Sequence, residues 1–225
     1  NTLDKVIKFS KSKEIKKGRL IYCPPFTLIA AFFKKFQNCL IDIGAQNCHE
    51  SEDYGPHTGF INSRMLKSVG ANYVILGHSE NRKKGETDKL INLKIKNSIK
   101  AKLKVIFCIG ETLTEKKRGK TRLILSRQIR LGLNKIKKKS NILIAYEPVW
   151  SIGTGNIPKP KELEQTVNFI KKKFKGKSPK ILYGGSVNPQ NISDLKKINT
   201  LDGFLIGGAS QIPKKFIDIV KKTYN

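Results

Sequence analysis

The chain has 225 residues, and its 45 lysines and arginines against 17 aspartates and glutamates give a formal net charge of +28. This length favours a single α/β domain with a sizeable core over two separate domains. The sequence has no run of about 18 apolar residues and no charged segment followed by an apolar one at its start, so we expect neither a membrane span nor a secretory leader. A cytoplasmic location fits these features best.

The basic residues are mostly lysine. Seven of the 45 are arginine and the other 38 are lysine, dispersed over nearly every predicted helix. Nucleic-acid readers favour arginine for bidentate contacts, and a composition rich in Lys, Ile and Asn is also typical of an AT-rich genome. We therefore expect no specific nucleic-acid function, although the basic surface should attract anionic metabolites and polyanions nonspecifically.

The four cysteines do not form a metal or disulfide pattern. Cys23, Cys39, Cys48 and Cys108 are scattered and include no CxxC pair. Reduced, partly buried thiols are typical of a cytosolic protein with this usage. We expect no metal site.

The first half of the chain alternates predicted helices and strands. A helical apolar pattern opens it, with Thr2 or Asp4 as the cap. Strands are predicted over 19–26, 40–46, 73–77 and 104–109. Helices are predicted over 27–36, with Thr27 as the cap, and over 63–69, 87–100 and 121–139. A long loop, 47–59, follows the second of these strands.

The second half continues the alternation. Strands are predicted over 142–145, 180–183 and 203–206, and helices over 191–198 and 212–222. A further helix begins at Pro160, where the missing N–H does no harm. The order is α(βα)₇. The strands are continuous apolar runs, which indicates parallel strands buried on both faces, in a doubly wound sheet or a barrel.

The residues best suited to a catalytic or binding site come just after the predicted strands. They are His78, Glu111, Glu147, Ser186 and the pairs Gly184-Gly185 and Gly207-Gly208. This placement favours the barrel, because its active site lies at the carboxyl ends of its strands.

The segment 145–155 combines a carboxylate with a loop that could close. Glu147 follows a buried strand; Pro148 and Trp150 stiffen the start of the loop, and Gly153 and Gly155 loosen its end. Such an arrangement is typical of a catalytic base beneath a lid. On spacing alone, an ordinary turn with a surface glutamate explains it equally well.

Five motifs together resemble the triosephosphate isomerase family. They are YVILGHSE (73–80), CIGET (108–112), AYEPVWSIGTG (145–155), YGGSVN (183–188) and DGFLIGGAS (202–210). They occur in family order and spacing, and the resemblance as a whole covers essentially all 225 residues. The resemblance implies one TIM (β/α)₈ barrel domain over 1–225, lacking its first strand. It also implies interconversion of D-glyceraldehyde 3-phosphate and dihydroxyacetone phosphate, in glycolysis and gluconeogenesis, without metal or organic cofactor.

The resemblance also assigns roles at the site. Glu147 would be the base, and His78 a neutral electrophile whose pKa is lowered by a helical turn starting at Ser79-Glu80. Glu80 would act within the same site, and Glu111 is interpreted as structural. The lid would comprise Pro148, Val149, Trp150, Ser151, Ile152, Gly153, Thr154 and Gly155. The substrate phosphate would be bound by Gly153, Ser186, Gly207 and Gly208.

The family's third loop implies a homodimer. Thr58 would enter the neighbouring subunit, with Arg82 and Glu86 bracing the interface. His49 and His57 are then surface or interface residues, not metal ligands.

The sequence departs from the family pattern mainly at its start. The family's first strand ends in Asn-x-Lys, and Asn1 aligns two residues after that lysine, so we expect a fragment or a misplaced start and an open barrel with exposed strand edges. Asn81 replaces a common arginine, and the lid ends in 156–158, Asn-Ile-Pro, where Pro158 would stiffen the hinge. Two alternatives stay open: an inactive phosphometabolite-binding homologue, and another phosphate-binding barrel enzyme.

Overall fold

A computed structural model describes residues 18–37, 39–137, 139–176 and 178–224. Within these ranges seven strands form one sheet. They are β1 (Leu20–Tyr22), β2 (Ile41–Ala45), β3 (Tyr73–Leu76), β4 (Lys104–Ile109), β5 (Ile142–Tyr146), β6 (Ile181–Tyr183) and β7 (Gly203–Phe204). The predicted N-terminal helix lies outside the described residues.

The strand order decides between the two predicted architectures. Each strand pairs in parallel with the next along the chain, in the order β1-β2-β3-β4-β5-β6-β7. A doubly wound sheet would reverse its order at a switch point, so this progression is that of a barrel. In the described part of the chain β1 and β7 are the two ends of the sheet, in agreement with the expected open barrel.

Helices cover the outside of the sheet. They are α1 (Ile29–Phe36), α2 (Ser63–Ser68), α3 (Ser79–Lys83), α4 (Asp88–Lys100), α5 (Leu113–Lys117), α6 (Thr121–Gly132), α7 (Pro160–Lys171), α8 (Ile192–Leu195) and α9 (Pro213–Tyr224). Short 3₁₀ turns occur at Phe26–Leu28, Lys139–Asn141, Val149–Ser151 and Gly208–Gln211. No helix among the described residues is both long and apolar enough to cross a membrane.

The core has two layers, separated by the sheet. Val74, Val105 and Phe107 belong to the larger cluster, which also contains the buried helix side chains. Their strand neighbours Tyr73 and Ile106 belong to a smaller cluster on the other face. Alternate residues of each strand thus enter different layers, and both layers are buried. This explains why the strands are continuous apolar runs.

Several predicted elements differ in extent from the observed ones. The helix predicted over 121–139 ends at Gly132, and Lys135 has a left-handed φ of 58°. Thr27 does not cap a helix. It lies within a 3₁₀ turn, Phe26–Leu28, that precedes α1, and the N-cap residue of α1, Leu28, makes no side-chain hydrogen bond. The helix α5 was not predicted, although Thr112 and Glu115 form a capping box at its start.

Candidate active site

Two strands that are not neighbours bring Glu147 and His78 together. Glu147 follows β5 and His78 follows β3, with β4 between them. Oε1 of Glu147 lies 3.3 Å from Nε2 of His78. Because the carboxyl ends of parallel strands meet at one rim of a barrel, residues 69 positions apart in sequence become neighbours.

The carboxyl group of Glu147 is strongly perturbed by its surroundings. The residue is only 3% exposed, and burial raises its pKa to about 8. The Cys108 thiol, the Arg82 charge and the backbone of Ser79 act in the opposite direction and do not cancel the burial. Its Oε2 atom is buried and has no hydrogen-bond partner among the described residues. That oxygen therefore has an unused hydrogen-bond acceptor site beside His78.

The orientation of His78 follows from its place at the start of α3. It is the N-cap residue, and its Nδ1 accepts the backbone N–H of Glu80 at 3.3 Å. In the neutral ring, the proton is then on Nε2, the atom that faces Glu147. Burial lowers the pKa of His78, and Lys83 adds to this while Glu80 opposes it. The expected neutral imidazole is consistent with this direction, but burial, rather than the helix end, is the main cause.

Two glycines give the Glu147 backbone and side chain their space. A Cβ atom added at Gly110 would lie 1.8 Å from the backbone oxygen of Glu147, and one at Gly184 would lie 2.8 Å from its Cγ. Gln128, from α6, fixes Gly110 by accepting its N–H at 2.9 Å and donating to its carbonyl oxygen at 3.1 Å. The position of the carboxyl group thus depends on these close backbone approaches.

Arg82 ties the ends of β3 and β4 together. Its Nε donates to the Gly77 carbonyl at 2.7 Å, its Nη2 to the Cys108 carbonyl at 3.1 Å, and its Nη1 to Asp88 at 2.6 Å. These contacts lie within one chain, whereas the sequence suggested a role at an interface. The interface role stays a prediction.

The start of the lid is anchored on Glu111. This residue is 1% exposed, and its Oε1 accepts the indole N–H of Trp150 at 2.9 Å, while Tyr146 also donates to it. Burial raises the pKa of Glu111 despite these hydrogen bonds. The contacts agree with the structural interpretation of Glu111.

The far end of the lid is held by hydroxyl groups from the β6 strand and loop. Ser186 Oγ accepts the N–H of Gly155 at 3.3 Å and donates to the carbonyl of Ser151. The Ser151 and Tyr183 hydroxyls are 3.1 Å apart. Gly153 and Gly155 are exposed and have φ of 71° and 76°, a conformation that favours glycine.

The residues predicted to bind phosphate lie on the loops after β5, β6 and β7. Gly153 belongs to the lid, Ser186 contacts it, and Gly207 and Gly208 are exposed at the start of the 3₁₀ turn that follows β7. A Cβ atom at Gly207 or Gly208 would meet no atom of the described residues within 4 Å.

The other predicted site residues lie further out. The Glu80 side chain is 76% exposed, and its carboxylate is 3.9 Å from Nδ1 of His78. Thr58 is exposed on the loop before α2. Glu86 is largely buried, pairs with Lys94 and accepts a hydrogen bond from Asn47 at 3.0 Å. Among the described residues no group of His, Cys, Asp and Glu side chains could hold a metal ion.

Comparison with known proteins identifies the family of this chain. A family model described as triosephosphate isomerase matches residues 1–223. The chain belongs to the triosephosphate isomerase family. It is 44% identical to the triosephosphate isomerase of Thermodesulfovibrio yellowstonii, over 97% of this chain and 91% of the relative. It is 41% identical to that of Dictyoglomus thermophilum, over 93% of this chain and 88% of the relative.

A solved structure supports the same assignment. The triosephosphate isomerase of Bartonella henselae superposes with a TM-score of 0.89 at 34% identity, covering all of this chain and 93% of that one. The predicted barrel fold and the isomerase activity of the family are thereby confirmed. The two alternatives, an inactive homologue and another class of barrel enzyme, are not supported.

Three residues that shape the triosephosphate isomerase site were not predicted from the sequence to have that role. Cys108, Gln128 and Arg82 each contact it from behind. Cys108 lies in one of the five motifs, which could have signalled it. Gln128 is a polar residue on the buried face of α6, the one signal that could have identified it.

Proposed function

We propose that Glu147 and His78 carry out the isomerisation of D-glyceraldehyde 3-phosphate to dihydroxyacetone phosphate in this chain. The observation that carries the assignment is the 3.3 Å separation of their facing atoms, together with a buried carboxyl oxygen that has no hydrogen-bond partner in the described part of the chain. A base and an acid that face each other at the mouth of a barrel can act on adjacent atoms of one substrate.

The proton transfers follow from the two orientations. Ionised Glu147 removes the proton from the substrate carbon next to the carbonyl, and electrons move onto the carbonyl oxygen. The Nε2–H of neutral His78 hydrogen-bonds to that oxygen and stabilises its developing charge. The proton of the hydroxyl group on the neighbouring position then passes to the former carbonyl oxygen, and Glu147 returns its own proton to the former carbonyl carbon, so that the carbonyl and hydroxyl groups exchange places. No electron leaves the substrate, so the reaction needs no redox partner.

The substrate phosphate would be bound at the loops after β5, β6 and β7. Backbone N–H groups of Gly153, Ser186, Gly207 and Gly208 are suited to this, because glycine allows an anion to approach the backbone closely. The net charge of +28 would increase the local concentration of an anionic substrate.

Closure of the lid, residues 148–155, would protect the intermediate. An enediolate next to a phosphate ester can lose the phosphate in water, so excluding solvent favours the productive path. Trp150 and Gly155 are held through side-chain hydrogen bonds to Glu111 and Ser186, which a moving loop can exchange.

Glu80 would act through His78. Its backbone N–H fixes the tautomer, and its carboxylate raises the pKa of His78. Glu80 is therefore proposed as a positioning residue for the electrophile.

We also propose a homodimer formed through the loop 47–59, in the cytoplasm. Tyr54 and Phe60 are 63% and 60% exposed, and Thr58 lies exposed between them. Large exposed aromatic side chains favour a partner surface. Glu86 would brace this loop through its hydrogen bond from Asn47, and Arg82 would hold the segment behind it. The cytoplasmic assignment is supported by the glycolytic role of the family.

The decisive experiment measures turnover of glyceraldehyde 3-phosphate by the chain and by Glu147→Gln. The amide keeps the shape of the carboxyl group but cannot accept the carbon-bound proton. We expect kcat to fall by about 10³-fold or more while an enediolate analogue still binds. Chelators should leave the rate unchanged. Equal turnover in both proteins would reject Glu147 as the base, and analogue binding without turnover in either would favour an inactive homologue.

A further inference from the structure

The surface around α6 carries a concentration of arginine. Four of the chain's seven arginines lie within 13 residues, and no aspartate or glutamate occurs between Glu115 and Glu147. The four are Arg118, Arg122, Arg127 and Arg130, here called the arginine face. All four are exposed. A genome-wide bias toward lysine codons would act along the whole chain, so it does not account for a local cluster of arginine.

Helix α6 turns the three arginines that it contains outward. Ile124, Leu125 and Ile129 of α6 are buried against the core. At about 100° per residue, Arg122, Arg127 and Arg130 fall within an arc of roughly 140° on the opposite side. Leu123, which is 64% exposed, is the large apolar side chain on that side of α6.

The charges of the arginine face are mostly not neutralised by the chain. Arg127 lies 3.4 Å from Asp88, whose carboxylate also pairs with Arg82. Throughout the described ranges, the other three arginines make no ion pair with a carboxylate. They are therefore available to an anionic partner.

A neighbouring aromatic ring orders part of this surface. The Arg122 guanidinium lies 5.5 Å from the ring centre of Phe169, and the Lys173 ammonium lies 4.5 Å from the same ring. Phe169 belongs to α7, so the two helices share this cluster. A cation held over an aromatic face loses less freedom when it binds an anion.

Lysines extend the positive surface on both sides. Lys135, Lys137 and Lys139 follow α6 and are exposed, and the exposed Lys172 and Lys175 lie beyond the end of α7. The field is thus broad, with the arginines at its centre.

We propose that the arginine face binds nucleic acid through its phosphate backbone, without sequence preference. Guanidinium groups bind phosphate in a bidentate manner. Arg122 and Arg130 are eight residues apart, which separates them by about 12 Å along the helix and lets them contact different phosphates of one strand. A membrane surface fits less well, because a helix that docks on lipid needs a broad apolar face and α6 offers one exposed leucine.

This surface does not overlap the isomerase site. The inward side of α6 contacts that site through Gln128 and Gly110, whereas the arginines point away from the core. Binding and isomerisation can therefore be measured independently.

The test uses a labelled single-stranded RNA of about 15 nucleotides and mixed sequence, with binding followed by anisotropy between about 50 and 300 mM KCl. The variant R118Q/R122Q/R130Q is compared with K34Q/K35Q/K214Q, which removes the same charge from exposed lysines of α1 and α9. An unchanged isomerase rate checks that both variants fold.

We expect the arginine variant to lose about tenfold or more in affinity near 100 mM salt. Its plot of log affinity against log salt should be shallower by about 2, because each lost phosphate contact on a single strand contributes roughly 0.7. The lysine control should change by less than about threefold. Equal losses in the two variants would overturn the proposal, since the charge would then act only as a diffuse field. Tighter binding to phosphatidylglycerol vesicles than to RNA, abolished by the same three arginine substitutions, would overturn it in favour of a membrane surface.

Discussion

The indole N–H of Trp150 donates a 2.9 Å hydrogen bond to Oε1 of Glu111. Trp150 lies in the lid, whereas Glu111 is a buried carboxyl at the end of β4. The lid therefore starts from a fixed point on the barrel rim, next to Glu147, which follows β5. The barrel, through this bond, limits where the lid can move.

Substituting Trp150→Phe should loosen this fixed point. The ring is retained, but the hydrogen bond is lost and Glu111 keeps only the Tyr146 hydroxyl. We expect the free energy of unfolding to fall by about 1 kcal/mol and kcat/KM to fall by roughly fivefold to tenfold, because closure becomes less well directed. Urea unfolding and steady-state kinetics measure the two effects. A variant with wild-type kinetics would show that the anchor does not govern the lid.

The rate should report the raised pKa of Glu147. Only the ionised carboxylate can accept a proton from carbon, and burial raises its pKa to about 8 in the free chain. We therefore expect kcat/KM to decrease about tenfold per pH unit below a break displaced from the ordinary carboxyl range toward pH 8. The measurement is a pH profile of kcat/KM with a correction for ionisation of the substrate phosphate. A break below about pH 5 would contradict the raised pKa.

Ionisation of Glu147 should also change the free energy of unfolding, but in the opposite direction: higher pH should increase the rate and decrease the stability. The pKa of Glu147 is about 8 when folded against 4.5 as a model value, so between these values the folded chain holds a proton that the unfolded chain releases. The free energy of unfolding should then decrease as pH rises through this range, by roughly 1 kcal/mol per pH unit at most. Glu147→Gln lacks this ionisation. Its stability relative to the wild type should increase from pH 5 to pH 8, and a constant difference in urea unfolding would reject the linkage.

Gly110 should not tolerate a side chain. A Cβ atom would lie 1.8 Å from the backbone oxygen of Glu147, so Gly110→Ala must move the catalytic loop. We expect kcat to fall by about 10²-fold, in line with a displacement near 1 Å at a reacting group. Gly176→Ala is the control, because its φ of 76° makes the change strained but no atom of the residues that the structure describes lies within 4 Å of the added Cβ atom. The control should lose about 1 kcal/mol of stability and keep its kcat. Similar kcat values in the two variants would refute the steric argument.

Patterns that depend on local sequence were predicted well. The strand β4 matches its prediction over Lys104–Ile109, and α7 begins at Pro160 as predicted. The strand-end positions of His78 and Glu147 followed from the same periodicity. The contacts behind them did not, because Arg82, Cys108 and Gln128 reach the site only once β3, β4 and α6 are packed. The helix α6 stops at Gly132, seven residues before its predicted end, and the Gly132 and Asn134 that occur there are residues that often end a helix.

Substitution of Arg82 should reduce stability more than the partial exposure of this residue suggests. One ammonium group cannot replace a guanidinium that bonds the carbonyls of Gly77 and Cys108 and also Asp88, so Arg82→Lys leaves at least one acceptor unpaired. We expect the free energy of unfolding to fall by about 1–3 kcal/mol. We also expect kcat/KM to decrease, because His78 directly follows Gly77.

Arg64→Lys is the matched control, since the exposed pair of Arg64 with Asp53 should contribute less than about 1 kcal/mol. Urea unfolding and kinetics on both variants test this, and equal, small effects would mean that Arg82 does not brace the strand ends.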